Sequence, residues 1–427
     1  MDKSLYIPIY ASLGFIVFTE IFFLLGPINY YVDNPLTLFL FLFFVNLSLF
    51  LGYIVEIRRS KLFNRITFQY WDKVKLVKVL MLISLLIKPL SFYFGWQLSS
   101  FAPSAYISKF MLGITAPNEA YEDFNDFQSN GILGSFLVLL GPISMIAQPL
   151  GIYFIEKFPK KWKFLAIVLV VLDIVYTLGL GNRKRMLDVI IIVFFSYLAS
   201  KGHNAIHLLK NRKFIAFISF LIFGLFVYFL ISSLSRAGTD SFENFYTMFD
   251  DIKPWYEKNV PVEIYMALAN IQMYLCHAYV NLSYALDHFF SLSDTYVFSW
   301  GIGNNVFTIN MFKNFFGIDV LPYTYQHLLT EEYHRPIGLV WMTIYPWLAN
   351  DVTFLGVPIV FYFLGRIMGR LWYDSLYARN IFAVPLLCLV LITVFYSFAN
   401  NQALSYSFLS VMVISWLYVI ENRNIKN

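Results

Sequence analysis

The residues of this chain best suited to chemistry are arginines in an unusual place. Arg183-Lys184-Arg185 fall between two long apolar runs, and Arg236 and Arg335 stand at the edges of later ones. A guanidinium is a planar fork of N–H donors that stays charged at physiological pH, so it grips phosphate oxygens in pairs. Brought together, Arg183, Arg185, Arg236 and Arg335 would hold a phosphate or pyrophosphate. A snorkelling arginine or a lipid headgroup contact is the plain reading of any one of them alone. A second set of residues supplies proton transfer. His334, His327 and Asp351, in that order, are candidates for a base that deprotonates a hydroxyl nucleophile. His327, Glu331 and His334 stand four and three residues apart, which on a helix places them on one face. That spacing also suits metal ligation, but a further ligand is lacking and no metal is expected. Glu332 beside them reads as a solvated loop residue.

These residues must be positioned by membrane helices. The 427 residues are 59% hydrophobic and 13% charged, with a mean hydropathy of +0.63, whereas a soluble domain is about 25% charged. Apolar runs recur from end to end without the alternation of a membrane barrel, so the expected class is an all-α polytopic membrane protein. Spans of about 20 residues are expected at 5–26, 36–55, 76–95, 131–155, 164–181, 186–200, 214–233, 352–372, 381–400 and 402–420. The sixth is short and either borrows residues from the turn before it or sits tilted. The first lacks a small-residue cleavage site and reads as an anchor. No internal repeat of the kind common in secondary transporters is visible. Cys276 and Cys388 are not expected to form a disulfide, since Cys388 falls inside a span.

Charge sets the orientation. With both termini cytoplasmic, the segments 1–4, 56–78, 156–163, 201–213, 366–380 and 421–427 hold 21 Lys/Arg and 6 Asp/Glu. Of the chain's 31 basic and 26 acidic residues, that leaves 10 and 20 for the remainder, as the positive-inside bias requires. Outside lie a loop at 96–130, acidic through Glu119, Glu122, Asp123 and Asp126, the turn at 182–185, and a long segment at 234–351. The division is therefore 1–233 with seven helices, 234–351 as an outer domain, and 352–427 with three helices. Helical stretches such as Val262–Phe290 suit an interfacial position, with a re-entrant or spanning hairpin within 262–310 as the alternative. The turn at 182–185 opposes the charge rule, because it carries three of the ten basic residues outside the inner loops. Of these, Lys184 is expected to reach the headgroups. Glu20, Lys88, Asp173 and Asp188 fall inside spans, where a charge is expensive. Lys88 can pair with Glu20 or Asp173 to hold spans together, and Asp188, one turn after Arg185, is placed to orient it.

Two stretches carry a resemblance. GLGNRKRMLDVIIIVFFSYL resembles the Gly-Ser-Arg turn and following span of bacterial O-antigen and capsule polymerases of the Wzy type. WMTIYPWLANDVTFLGVPIVFYFLGRIMGRLW, at 341–372, resembles that family's return to the membrane, where a polar turn leads into a Gly-rich span. Asp351 and Gly356 fit that turn, with Val-Thr-Phe-Leu between them. The chain departs in having Asn182 where Ser or Thr is usual and Lys184 where a small residue is common. Its position relative to Gly181 favours Arg183 over Arg185 for the family arginine. The second half of the chain is covered well and the first half by topology alone.

The resemblance implies a GT-C-like membrane fold and glycosyl transfer at the outer face of the bacterial plasma membrane. The donor would be an oligosaccharide on undecaprenyl pyrophosphate, with no nucleotide sugar and no cofactor. Arg183, Arg185, Arg236 and Arg335 would hold the pyrophosphates, and His334, His327 or Asp351 would activate the acceptor hydroxyl. Trp255, Tyr256, Trp300, Tyr323, Tyr325 and Trp341 would stack on sugars or anchor the interface. Implied partners are the bilayer, a chain-length regulator and a flippase, and no nucleic acid. The rival readings are an O-antigen ligase, a transporter or flippase with Lys88 and Asp173 lining a cavity, and a non-catalytic scaffold.

Overall fold

The computed structural model describes residues 2–62, 70–116, 120, 132–237, 251–288, 301–304, 306–335, 342–377, 379–399 and 408–424. In lipid a backbone must satisfy its own polar groups, and a helix does so within one segment. Accordingly no strand is formed among the described residues, only an isolated bridge between Ile28 and Ile252. The expected spans of the first part fall on α1 (Ile7–Leu25), α2 (Pro35–Leu62), α3 (Tyr70–Gly95), α5 (Ile132–Tyr153), α6 (Lys160–Gly179), α7 (Arg183–Ser200) and α9 (Arg212–Ala237). The short α4 (Pro103–Thr115) and α8 (Ala205–Leu209) lie between them. The segment expected outside holds α10 (Pro254–Asn259), α11 (Val262–Asp287), α12 (Val306–Phe316) and α13 (Tyr325–Tyr333). The chain closes with α14 (Ile344–Leu376), α15 (Ala383–Phe395) and α16 (Phe408–Asn424). Among the described residues, five stretches are long and apolar enough to cross a membrane, within α1, α2, α3, α6 and α14. α7 and α8 pass the same test only when joined across a 117° bend, as a broken span or a re-entrant loop, and the bend turns at Gly202 in the left-handed region.

The tightest pairing is α2 against α14, and the sequence shows why. Gly365 and Gly369 are four residues apart on one face of α14, the small-xxx-small spacing that lets helices approach closely. A Cβ at Gly365 would lie 2.1 Å from the Leu49 carbonyl oxygen, and one at Gly52 would lie 1.9 Å from that of Tyr362. At the end of this pair Arg366 donates to Glu56 from Nε (3.1 Å) and from Nη2 (2.8 Å).

Hydrogen bonds sort the helix ends into two layers. On the face expected to be cytoplasmic, Trp372 Nε1 donates to the Ser4 carbonyl (2.9 Å) and the Tyr418 hydroxyl donates to Asp374 (2.6 Å). There Lys73 also pairs with Glu421 at 2.8 Å. Both ends of the described chain therefore share one face. On the opposite face Asn34 donates to Asp287 (2.6 Å), and Trp96 Nε1 donates to the Tyr176 carbonyl (3.0 Å). The last carbonyls of α1, which have no helical partner, are taken up by the segment expected outside. Lys253 Nζ donates to Leu24 O (2.5 Å) and Gly26 O (2.8 Å), and Tyr256 OH to Leu25 O (2.8 Å). Gln272 Nε2, on α11, donates to Phe22 O and Phe23 O.

The end of the segment expected outside runs on into the last spans. Residues 344–352 are helical, and Tyr345, Trp347, Asn350 and Asp351 are buried. The helix breaks at Thr353, with φ 58° and ψ 168°, and the second half at 354–376 matches the expected span. The two halves are folded against each other: the rings of Tyr345 and Phe361 are 5.4 Å apart, where a straight helix would separate those residues by about 24 Å. On α11, Cys276, Tyr279, Leu282 and Leu286 belong to the same apolar core as the spans. Cys276 and Cys388 are both free and buried.

Candidate functional site

The basic cluster is part of a helix, not of the turn before it. Gly181, in the left-handed region (φ 59°), reverses the chain after α6. Asn182 then caps α7, its side chain accepting from the Arg185 backbone N–H (3.2 Å). Arg183, Lys184 and Arg185 consequently occupy the first turn of α7, which contains no acidic residue. Helix N-termini carry partial positive charge and unsatisfied N–H groups, so the first turn favours anions and disfavours cations. Three cations on a positive helix end favour a nearby anion, and Asp188 on the same helix supplies one for Lys184.

The three side chains have different surroundings. Lys184 pairs with Asp188 one turn on, at 2.6 Å, and its Nζ lies 5.2 Å from the centre of the Tyr396 ring. Lys184 was expected to reach the headgroups and is instead drawn inward by this pair, set by the four-residue spacing; Asp188, expected to orient Arg185, is also within electrostatic reach of it. Tyr396 fixes the helix end by donating to the Lys184 carbonyl (2.9 Å). Arg185 places its guanidinium 5.8 Å from the ring centre of Tyr176 on α6. The side chains of Arg183 and Arg236 lie outside the described residues.

Arg335 approaches from α13 and is anchored on neutral groups. α13 ends at His334, which takes the left-handed conformation (φ 53°). His334 therefore leaves the helix, is exposed, and does not share a face with His327 and Glu331 as expected. The Arg335 N–H donates to Leu329 O (3.0 Å), and the Thr330 hydroxyl donates to Arg335 O (3.2 Å). The Arg335 guanidinium donates from Nη1 to His277 Nε2 on α11 (3.3 Å) and lies 5.8 Å from the centre of the Tyr284 ring. Among the described residues no carboxylate comes within ion-pair distance of Arg335. Burial, and then the Arg335 charge, push the His277 imidazole down to about 4, so it is neutral at physiological pH. Arginine only donates, so the Nε2 of His277 must accept and its proton sits on Nδ1.

α11 meets Arg335 through His277 and passes near Tyr396. Tyr274, three residues and so about 4.5 Å before His277, is within electrostatic reach of Tyr396, the residue that holds the start of α7. Further along the same helix His288 meets Glu332 (3.1 Å) and the Tyr333 hydroxyl (3.0 Å).

The other candidates have separate roles. His327 lies near Asp319, whose carboxyl is held below its usual range by a hydrogen bond from Lys313. Asp351 is buried and accepts from Asn304, beside Asn350, which accepts from the Tyr325 backbone (2.9 Å) and donates to Gln326 (2.8 Å). That network sits at the start of α13, whereas Arg335 follows its end, about 13 Å of helix away. Trp255 and Tyr323 are exposed, Tyr325 is buried against Phe354, and Trp300 and Trp341 lie outside the described residues, as do Glu119, Glu122, Asp123 and Asp126. Lys88 pairs with Asp173 across α3 and α6, and Glu20 accepts from Asn46 (2.8 Å) across α1 and α2. These are contacts that hold helices together. His277 was missed by the sequence reading. Its signal is a polar stripe on an otherwise apolar helix: His277, Asn281, Tyr284 and His288 recur at helical spacing.

Comparisons of the chain with protein-family models, with curated proteins and with solved structures find no match.

Proposed function

We propose that this chain is a membrane glycosyltransferase that polymerises oligosaccharide repeat units carried on undecaprenyl pyrophosphate. The observation that carries the reading is the first turn of α7, where Arg183 and Arg185 stand on a positive helix end beside the Lys184–Asp188 pair. Arg335, with no carboxylate partner among the described residues, donates to His277 of α11. Such a site is suited to a multiply charged anion. When the glycosidic bond to a lipid pyrophosphate breaks, negative charge grows on the leaving group. Preorganised guanidinium groups stabilise that charge most in the transition state. The acceptor hydroxyl of the incoming unit attacks the anomeric carbon and gives up its proton to a base. His334, exposed and next to Arg335, is the first candidate for that base.

The ten-span topology, cytoplasmic termini, GT-C-like architecture and location in the bacterial plasma membrane belong to this proposal. A ligase would use the same donor site with a different acceptor. A flippase would line a cavity with charges such as Lys88 and Asp173, which pair with each other. The test is reconstitution of the purified full-length protein in liposomes with lipid-linked repeat units and no nucleotide sugar. The proposal expects longer lipid-linked glycans and release of one undecaprenyl pyrophosphate per unit joined. Repeat units recovered at their starting length contradict it.

A further inference from the structure

An arginine that binds an anion must be aimed without being neutralised, and Arg335 meets both conditions. Its backbone N–H is fixed by Leu329 O, and its carbonyl shares the Thr330 hydroxyl with Gln326 O. Its guanidinium has a ring face at Tyr284 and an acceptor at His277 Nε2. A carboxylate in the place of His277 would hold the fork equally well, but would cancel the charge the anion needs. A neutral imidazole takes one N–H and leaves four of the five guanidinium donors for a ligand. His277 itself is set by α11, whose Gln272 and Cys276, five residues and one residue before it, donate to Phe23 O and Thr19 O of α1. The Tyr30 ring covers it at 6.2 Å between centroids.

We infer that His277 is a positioning residue that aims Arg335 at a pyrophosphate by accepting a hydrogen bond from its guanidinium at Nε2. The inference rests on the reading of the arginines as a pyrophosphate site. It assigns His277 no proton transfer to substrate. Its defining requirement is an uncharged acceptor at this position.

The test is affinity of the purified full-length protein in nanodiscs for inorganic pyrophosphate and, in parallel, for farnesyl pyrophosphate, measured calorimetrically. Compared with the native protein are His277→Leu, His277→Gln, His277→Glu and Arg335→Gln, each checked for an unchanged thermal midpoint in the absence of ligand. A hydrogen bond to a charged group contributes about 1.5–3 kcal/mol, so His277→Leu should weaken binding about tenfold or more. His277→Gln, which keeps a neutral acceptor, should restore most of it, and His277→Glu should not. A stronger effect on farnesyl pyrophosphate than on the inorganic ion marks a lipid-borne ligand, and equal effects mark the headgroup alone; both support the positioning role. Native affinity in His277→Leu, or no rescue by His277→Gln in a protein of native stability, overturns it. Absence of binding by the native protein instead defeats the pyrophosphate site itself. If His277→Leu and His277→Gln both unfold, Tyr284→Leu reports on the other support of the same guanidinium, and unchanged affinity there overturns the inference.

Discussion

Thr353 is the residue whose backbone least suits its side chain. Its φ of 58° and ψ of 168° lie in a region used almost only by glycine, and threonine is β-branched. Such strain amounts to about 1–3 kcal/mol and persists only where the surroundings impose it. The surroundings here are the network of Asn304, Gln326, Asn350 and Asp351, which locks the residues just before the break. Thr353→Gly should therefore raise the thermal unfolding midpoint of the purified protein; a midpoint that falls would show that the hydroxyl and methyl hold more than the strain takes away. At this scale the sequence was only partly legible. Asp351 stood out in the polar turn at 350–353, but nothing in Asn-Asp-Val-Thr announces a break at a threonine. Whether His327 or His277 meets an arginine depends on tertiary placement. His277 sits in a helix with no motif around it, so its contact with Arg335, 58 residues away, is not a local property of the chain.

At the scale of elements, α7 departs from the usual rule of helix composition. A first turn normally gains from acidic residues, and this one carries three basic residues. Helix stability alone does not account for that choice. A useful consequence is that stability and binding should respond in opposite directions. Arg183→Asp replaces a cation with an anion at the helix start, an improvement of about 0.3–1 kcal/mol or somewhat more on electrostatic grounds. The variant should show an equal or higher unfolding midpoint without ligand, together with loss of pyrophosphate binding. A lower midpoint with binding retained would mark Arg183 as a structural residue. The helix was visible in the sequence as a short span, but its start was placed at 186. The cap explains the shift: Asn182 is a good N-cap residue, and Gly181 before it provides the reversal. By contrast, the crossing of α2 and α14 follows directly from Gly365 and Gly369, because close approach requires small residues at that spacing.

For the whole molecule, hydropathy and charge located the helices well, since both respond to the bilayer along each segment independently. The ends assigned to one side by counting Lys and Arg do meet in one layer, through Glu56–Arg366, Tyr418–Asp374 and Trp372–Ser4. Less legible was the segment at 234–351, whose helices α11 and α13 are packed into the common core. Their moderate hydropathy reflects this mixed role, with one side against the spans and another carrying the polar stripe. α11 meets Arg335 through His277 and comes near Tyr396 through Tyr274, and the proposal depends on Arg335 and the α7 arginines acting together on one substrate. The most direct measurement is the glycan profile of a deletion strain complemented with the native chain, with Arg183→Ala or with Arg335→Ala, resolved on a gel at equal membrane expression. The account predicts a ladder of long polysaccharide for the native chain and single repeat units for each variant. Long polysaccharide of unchanged length in both variants would contradict it.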